Sequence, residues 1–437
     1  MNAVNDEPQL GAVFWPVGHG DSTTVVVSDE LVLQVDLHDM AKADDDANPE
    51  IPVVDRLVEA LPVVDGKPYL AVFALTHVDE DHCLGFADLL EQVTIGELWA
   101  TPRLWREYAE SNGDGLCEDA KAFQEEAERR VAVVKSAIEA GEPVPSGDRI
   151  IVIGHDRDRQ HAYEELPVEY KSGPGQAIAK LDGQDCSDKF EAFIHAPFKD
   201  DCAAARNETS LAMQVTLTDP GGQTGKVLLF GDLGHDTIMK IFNYSEYYAR
   251  EQYLAWDLLL APHHCSKKVM YLPDEDGHDV FHRDVMDAFG RHANPEPVVV
   301  SSSALIPAAD VTGANPPHRK AANRYQAIAD EFICTMSWPN AAAPVPVVFV
   351  VDALGARILS DETVDLTASE TLTKSAQAAP IGRRLAAVTT AAAAVAAAAS
   401  RDAVAAPATS GPQRLREGIA ADRGGDKAPQ TAVGFGR

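Results

Sequence analysis

Four candidate metal ligands, His77, Asp79, Asp81 and His82, crowd into six positions of the segment Thr76-His77-Val78-Asp79-Glu80-Asp81-His82-Cys83-Leu84-Gly85. The segment follows an apolar run, Leu70-Ala71-Val72-Phe73-Ala74-Leu75, that reads as a strand. A strand ending in a tight turn escapes the two-fold alternation that sends neighbouring side chains to opposite faces, so all four side chains can enter one volume. Imidazole nitrogens and carboxylate oxygens are the ligand set that Zn²⁺ or Mn²⁺ accepts while keeping a position open for water.

Two later strand ends extend this set. Val227-Leu228-Leu229-Phe230-Gly231-Asp232 places a carboxylate directly after an apolar run, with glycine permitting close backbone approach. Asp257-Leu258-Leu259-Leu260-Ala261-Pro262-His263-His264 does the same with two imidazoles. An aspartate in such a position also serves as a helix N-cap, so Asp232 alone is ambiguous. Together the three stretches supply what a two-metal centre requires: neutral imidazoles, terminal carboxylates and one oxygen able to bridge.

The 437 residues suffice for one large core or two. Expected strands near 150–153, 192–195, 211–218, 226–230, 256–260, 297–301 and 345–351 alternate with expected helices at 53–60, 85–91, 103–140 and 319–331, after a small β meander. That alternation predicts a layered α/β or α+β sandwich. From about Ser369 onward Ala, Pro, Gly, Thr and Arg dominate, and residues 369–437 are expected to be a disordered tail. Its Arg383-Arg384 and Arg414-Leu415-Arg416 groups could dock a protein partner. The alanine-rich stretch 385–400 reads as a partly helical linker rather than a membrane span.

The formal charge is −31 and uneven: residues 380–437 hold eight basic and four acidic side chains, which leaves −35 on residues 1–379. So acidic a body repels long polyanions, which argues against a broad grip on duplex DNA. Bound cations can reverse the sign locally. Six scattered cysteines without a Cys-x-x-Cys pair, and an N-terminus with no basic-then-apolar leader, point to a reducing, cytoplasmic setting with no membrane partner.

In order and approximate spacing, Gly18-His19-Gly20-Asp21-Ser22, Asp36, Thr76-His77-x-Asp79-x-Asp81-His82-x-x-Gly85, Asn207-x-x-Ser210-Leu211, Gly231-Asp232 and His263-His264-Cys265-Ser266 resemble the metallo-β-lactamase superfamily. More narrowly, they are similar to the branch that includes the hydrolase domain of bacterial DNA-uptake competence proteins. The resemblance spans about residues 10–352. It implies a four-layer αββα sandwich over residues 1–360, with a helical insertion at about 103–140 and two metal ions at one edge of the sheets. Carried over position by position, it puts His77 and Asp79 on one ion and Asp81 and His82 on the other. Asp232 would bridge, one of His263 or His264 would complete the second site, and Asp36 would orient the cluster from behind. Gly18-His19-Gly20-Asp21 would form a turn at the rim.

Three departures bear on the chemistry. Asp79 and Asn207 stand where better-known members have histidines, as in the competence-type branch, and the harder first site favours Mn²⁺ relative to Zn²⁺. Cys265 replaces a usual glycine and could narrow the pocket or add a thiolate. His195 could compensate as a ligand or be a strand histidine bonded to backbone. The expected function is a metal-dependent hydrolase, phosphodiesterase-like or nuclease-like, acting on a nucleotide or nucleic-acid end through a metal-activated water that Asp81 orients or deprotonates. Asn207, Ser210, Ser266 and His318 are candidates to hold substrate oxygens or the leaving group. The alternatives are hydrolysis of a carboxylic ester, lactone or amide on the same fold, and a non-catalytic scaffold with a degraded metal site.

Overall fold

The computed structural model describes residues 10–40 and 51–359. The expected tail at 369–437, with its two arginine groups, lies outside the described residues.

Short runs of Val, Ile, Leu and Phe bounded by Gly or Asp form two mixed sheets, because branched and aromatic side chains suit a pleated, buried surface. The first runs in space through Gly355–Ile358, Val347–Asp352, Gly11–Phe14, Thr23–Val26, Val32–Val35, Lys67–Ala74, Thr94–Ala100, Arg149–Ile153 and Lys171–Ser172. Pairing is antiparallel as far as Val32–Val35 and parallel beyond it, with Leu33 opposite Val72 and Val72 opposite Glu97. The second runs through Glu331–Cys334, Ala293–Ser301, Trp256–Leu260, Thr224–Leu229, Ala212–Thr218, Phe190–Ala196 and Ala177–Ile178. It is parallel across its first four strands and antiparallel after them.

The facing sides of the sheets share one apolar core that includes Phe14, Trp99, Phe190, Met213, Leu258 and Phe349. On its outer side the first sheet packs Phe73, Leu98 and Val152 against Leu57, Phe86 and Phe123 of the helices Val53–Ala60, Phe86–Gln92 and Glu118–Ala140. The second packs Leu228, Phe230 and Val299 against Ile241, Phe289 and Tyr325 of His235–Tyr247, Arg283–His292 and Arg319–Gln326. Helix, sheet, sheet and helix thus stack as the four-layer αββα sandwich that the sequence implied. Central strands buried on both faces read as continuous apolar runs, not as alternation.

One expected element differs. The helix anticipated over 319–331 stops at Gln326, and Glu331–Cys334 becomes a parallel edge strand beside Ala293–Ser301. Asp330 N donates to Pro297 O at 2.8 Å, which docks the chain on the sheet edge, and pairing of Phe332 and Ile333 there overrides the local helical pattern. The 103–140 segment is two helices, Arg103–Ser111 and Glu118–Ala140, in the outer layer of the first sheet. Among the described residues no helix is long and apolar enough to cross a membrane. All six cysteines are free.

Arg130 ties the long helix to the sheet. It is 1% exposed, its Nη1 donates to Gly96 O at 3.2 Å and Arg149 O at 2.9 Å, its Nη2 to Ile95 O at 2.8 Å, and its Nε to Glu126 at 2.7 Å. Arg130→Ala leaves three carbonyls and a carboxylate without that donor, and should lower the unfolding free energy by about 3–5 kcal/mol. Urea denaturation measures this, and a loss below about 1 kcal/mol would show that the clamp contributes little.

Candidate metal centre

Each candidate ligand sits just past the carboxyl end of a strand in the parallel half of its sheet. Asp36 follows Val32–Val35, His77 to His82 follow Lys67–Ala74, Asp232 follows Thr224–Leu229, and His263 and His264 follow Trp256–Leu260. Crossover connections leave that edge open, which is where ligands bind in open α/β sheets. The turns are tight. Gly231 has φ +49°, and a Cβ on it would lie 2.9 Å from Ser210 Cβ.

The hydrogen bonds fix which nitrogen of each imidazole faces inward. His82 Nδ1 lies 2.7 Å from Asp36 Oδ2, and Asp36 also accepts from the Thr76 amide and hydroxyl, each at 2.7 Å. An ionised carboxylate only accepts, so His82 carries its proton on Nδ1 and its lone pair on Nε2. The Ser302 carbonyl, 3.1 Å from His264 Nδ1, imposes the same tautomer there. His77 Nδ1 meets Thr76 Oγ1 at 3.1 Å and Ser210 Oγ at 3.3 Å, two hydroxyls whose protons already go to Asp36 and to Asn207 O. Three Nε2 lone pairs therefore point into one space, and those of His82 and His264 are 3.2 Å apart. Lone pairs that close require a cation between them, a proton or a metal ion. His77 Nε2 and Asp232 Oδ1 are buried without a hydrogen-bond partner, as atoms awaiting an ion would be. Asp21, His82, Asp232 and His264 form a buried group whose ligand atoms all lie within 4.8 Å of one another, which fits a divalent metal site.

Asp232 stands between two sets of donors. Its Oδ1 is 3.4 Å from His82 Nε2 and 3.3 Å from His264 Nε2, while its Oδ2 is 3.9 Å from His77 Nε2 and 3.6 Å from His263 Nε2. Asp81 joins the first set, 3.3 Å from His264 Nε2 and 4.0 Å from His82 Nε2. Asp79 joins the second, 3.6 Å from His77 Nε2. Of the two histidines that the sequence left as alternatives, His264 lies with Asp81 and His82, and His263 lies across Asp232 with His77 and Asp79.

Burial alone would raise the Asp232 and Asp81 carboxyls, but the imidazoles around them hold both well below the usual carboxylate range. Asp79 is lowered as well, by His77 and by Arg206 against the effect of burial. The Arg206 guanidinium lies 3.0 Å from Asp79 Oδ1 and 2.6 Å from Glu107 Oε2, and neighbouring Asn207 donates to Asp232 Oδ2 at 3.1 Å.

The remaining expected residues divide between rim and frame. Asn207 faces the centre. Ser210 is wholly buried, donating to Asn207 O at 2.7 Å and accepting from Asp232 N at 3.2 Å, so it positions ligands and is closed to substrate. Ser266 is also wholly buried, its hydroxyl accepting from Lys268 N at 3.3 Å, and His318 is buried with Nδ1 accepting from Lys267 N at 3.3 Å. These two frame the turn after the histidine pair instead of holding substrate. Cys265 packs in the apolar core under the second sheet, among side chains such as Phe289 and Tyr325, and burial pushes its thiol up to about 12. His195 bonds the Tyr253 carbonyl at 2.9 Å and is the backbone-bonded strand histidine.

The sequence reading missed several supporting groups. Asp21, assigned there to a rim turn, lies 3.5 Å from His264 Nδ1 and backs that imidazole together with Ser302. Thr76 relays between Asp36 and His77. His38 is buried beside Gly20 and Asp81, and burial pushes its imidazole down to about 4, so it is neutral. Asp21 and Thr76 both stood in motifs read from the sequence, without these roles. The others become visible through contacts between distant segments.

No protein-family model matches the sequence, and no curated protein does. Among solved structures, the chain is similar to the metallo-β-lactamase MIM-1 from Novosphingobium pentaromativorans at 13% identity, over 58% of this chain and 74% of that one, with a TM-score of 0.28. It is similar to Zn²⁺-bound PqqB from Methylobacterium extorquens at 14% identity, over 55% of this chain and 58% of that one, with a TM-score of 0.25. A diphosphatase of the PhnP family aligns at 10% identity over 78% of this chain and 97% of that one, with a TM-score of 0.31.

Two outcomes follow from the geometry. Burial opposes charge on His82 and His264, yet the surrounding carboxylates, Asp36 and Asp232 at His82 and Asp232 and Asp21 at His264, raise both imidazoles well above the ordinary 6.5 in the metal-free protein. Their contribution to metal-free stability is complete below about 6.5 and is lost as pH rises through the raised values. Zn²⁺ must displace those protons, so its affinity should climb across the neutral range by about tenfold per pH unit for each proton released. Calorimetric titration in buffers of different ionisation enthalpy counts the protons, and a count of zero would contradict the assignment. Asp36→Ala, which frees His82 to rotate, should weaken Zn²⁺ binding about 10–100-fold in the same titration.

Proposed function

We propose that the protein is a metal-dependent hydrolase that cleaves phosphodiester bonds in a nucleotide or a short nucleic-acid end. The observation that carries this reading is Asp232, with one carboxylate oxygen turned to His82 and His264 and the other to His77 and His263. A pair of divalent ions held there, Zn²⁺ or Mn²⁺, would supply an acidified water as nucleophile and positive charge for both the attacking and leaving oxygens of an in-line displacement.

The chain's own groups divide the remaining work. The Asp81 side chain is 36% exposed, the most open of the carboxylates on its side, and can hold the attacking water by a hydrogen bond. Its lowered carboxyl makes it a poor proton acceptor, so orientation is its contribution to catalysis. The Asn207 amide and the Arg206 guanidinium stand beside the opposite half and offer donors to phosphate oxygens. Arg206 is shared with Glu107, which keeps it at the rim in the absence of substrate. The acidic body, −35 over residues 1–379, disfavours long polyanions and supports a short substrate. The motif likeness to the competence-protein branch supports the same bond, and six free thiols support a reducing cytoplasmic setting.

Hydrolysis of an aryl phosphodiester with added Zn²⁺ or Mn²⁺ tests this. Asp81→Ala and His82→Ala should each lower kcat/KM by at least about a hundredfold. Equal rates in all three proteins would remove the proposal, and faster turnover of a lactone or carboxylic ester panel would move the chemistry to acyl transfer.

A further inference from the structure

A second group of potential ligands lies outside this centre, where the helices His235–Tyr247 and Arg283–His292 begin side by side. We infer that His235, His282 and Asp284 form a separate Zn²⁺ site that pins these two helix starts together. One ligand atom from each of the three lies within 4.8 Å of the others.

The tautomer of His235 carries the argument. Its Nδ1 is 2.9 Å from Asp236 Oδ1 and its Nε2 is 3.0 Å from Asp284 Oδ1. A neutral imidazole donates from one nitrogen only, so one of these two contacts sets a lone pair against a carboxylate unless a cation is present. With Nδ1–H given to Asp236, Nε2 faces Asp284 as a ligand atom. This is the carboxylate-oriented histidine typical of metal sites. His282 stands across from it, ring centroids 5.0 Å apart, and its ring nitrogens make no hydrogen bond to the described residues. Two imidazoles and one carboxylate are a Zn²⁺ ligand set with the fourth position left to water. Donors on tetrahedral Zn²⁺ lie about 3.3 Å apart for bonds of about 2.0–2.1 Å. The Asp284 side chain, 52% exposed, and the half-buried His282 can close that difference by rotation. Two helix N-termini disfavour a cation, and the charges of Asp236 and Asp284 oppose them.

The location gives the ion a structural task. His235 follows Asp232 by three residues, and Gly234 N between them donates to Glu208 Oε1 at 3.2 Å. An ion at His235 would stiffen the turn that presents Asp232 without entering the reaction. The inference stands independently of the function proposed above.

Zinc per chain, counted by native mass spectrometry on the full-length protein, tests it. His282→Ala and Asp284→Asn should each hold one zinc fewer than wild type, and His282→Cys, which substitutes another zinc ligand, should restore it. Asp232→Asn should keep the zinc that His282→Ala removes. If His282→Ala and Asp284→Asn, each folded by circular dichroism, bind as much zinc as wild type, the cluster is a protonated ion pair and the inference is overturned. A single zinc in wild type that His282→Ala abolishes would retain this site and count against the Asp232 centre instead.

Discussion

Two imidazole nitrogens 3.2 Å apart, His82 Nε2 and His264 Nε2, set the constraint around which the site is arranged. Both rings have already committed their Nδ1 protons outward, to Asp36 and to Ser302 O, so two neutral rings can only turn lone pairs toward each other. The repulsion is contained because the two rings belong to different sheets. His82 follows a strand of the first and His264 a strand of the second, and the shared core of Phe14, Trp99, Met213 and Leu258 holds those sheets face to face. Core packing therefore fixes how the two rings face each other, and a cation between them would in turn hold the open edge of the sandwich together.

The backbone records the same tension. His263, His264 and Cys265 have φ of 53°, 51° and 63°, three consecutive non-glycine residues in the left-handed region. Each such residue costs roughly 1–3 kcal/mol, a sizeable fraction of the roughly 5–15 kcal/mol that separates folded from unfolded domains. The turn persists because its surroundings over-determine it. Ala261 N donates to Val300 O at 2.7 Å, His263 N to Gly231 O at 3.0 Å, and His318 N to Cys265 O at 3.1 Å. Within this turn adjacent residues flank opposite oxygens of Asp232, with His264 beside Oδ1 and His263 beside Oδ2.

What the sequence made legible depended on locality. The cluster from His77 to His82, Asp232 after its apolar run and the histidine pair each announce themselves within ten residues, and buried strands announce themselves by length and β-branching. The four layers follow from their alternation with helices. The groups that set tautomers were harder to see. Ser302 and Thr76 are ordinary residues until the fold brings them to an imidazole, and Ser210 and Ser266 look alike in sequence whether they face substrate or, as here, lie buried in turns. The edge strand Glu331–Cys334 was hidden for the same reason, since its pairing partner is thirty-odd positions away and local periodicity favoured helix.

Charge accounting explains why so acidic a cluster can be buried at all. Asp21, Asp36, Asp79, Asp81, Asp232 and Glu107 bring six carboxylates into or against the site. Arg206 and Arg103, each paired with Glu107, return two positive charges, which leaves −4. Uncompensated, that charge would be prohibitive in a largely dry site. Two divalent ions would neutralise it in full. Without them protons must take their place, which is the direction in which His82 and His264 are pushed. The raised imidazoles and the metal-binding geometry are then one property: the carboxylates call for positive charge at the Nε2 positions, and protons and metal ions compete for it.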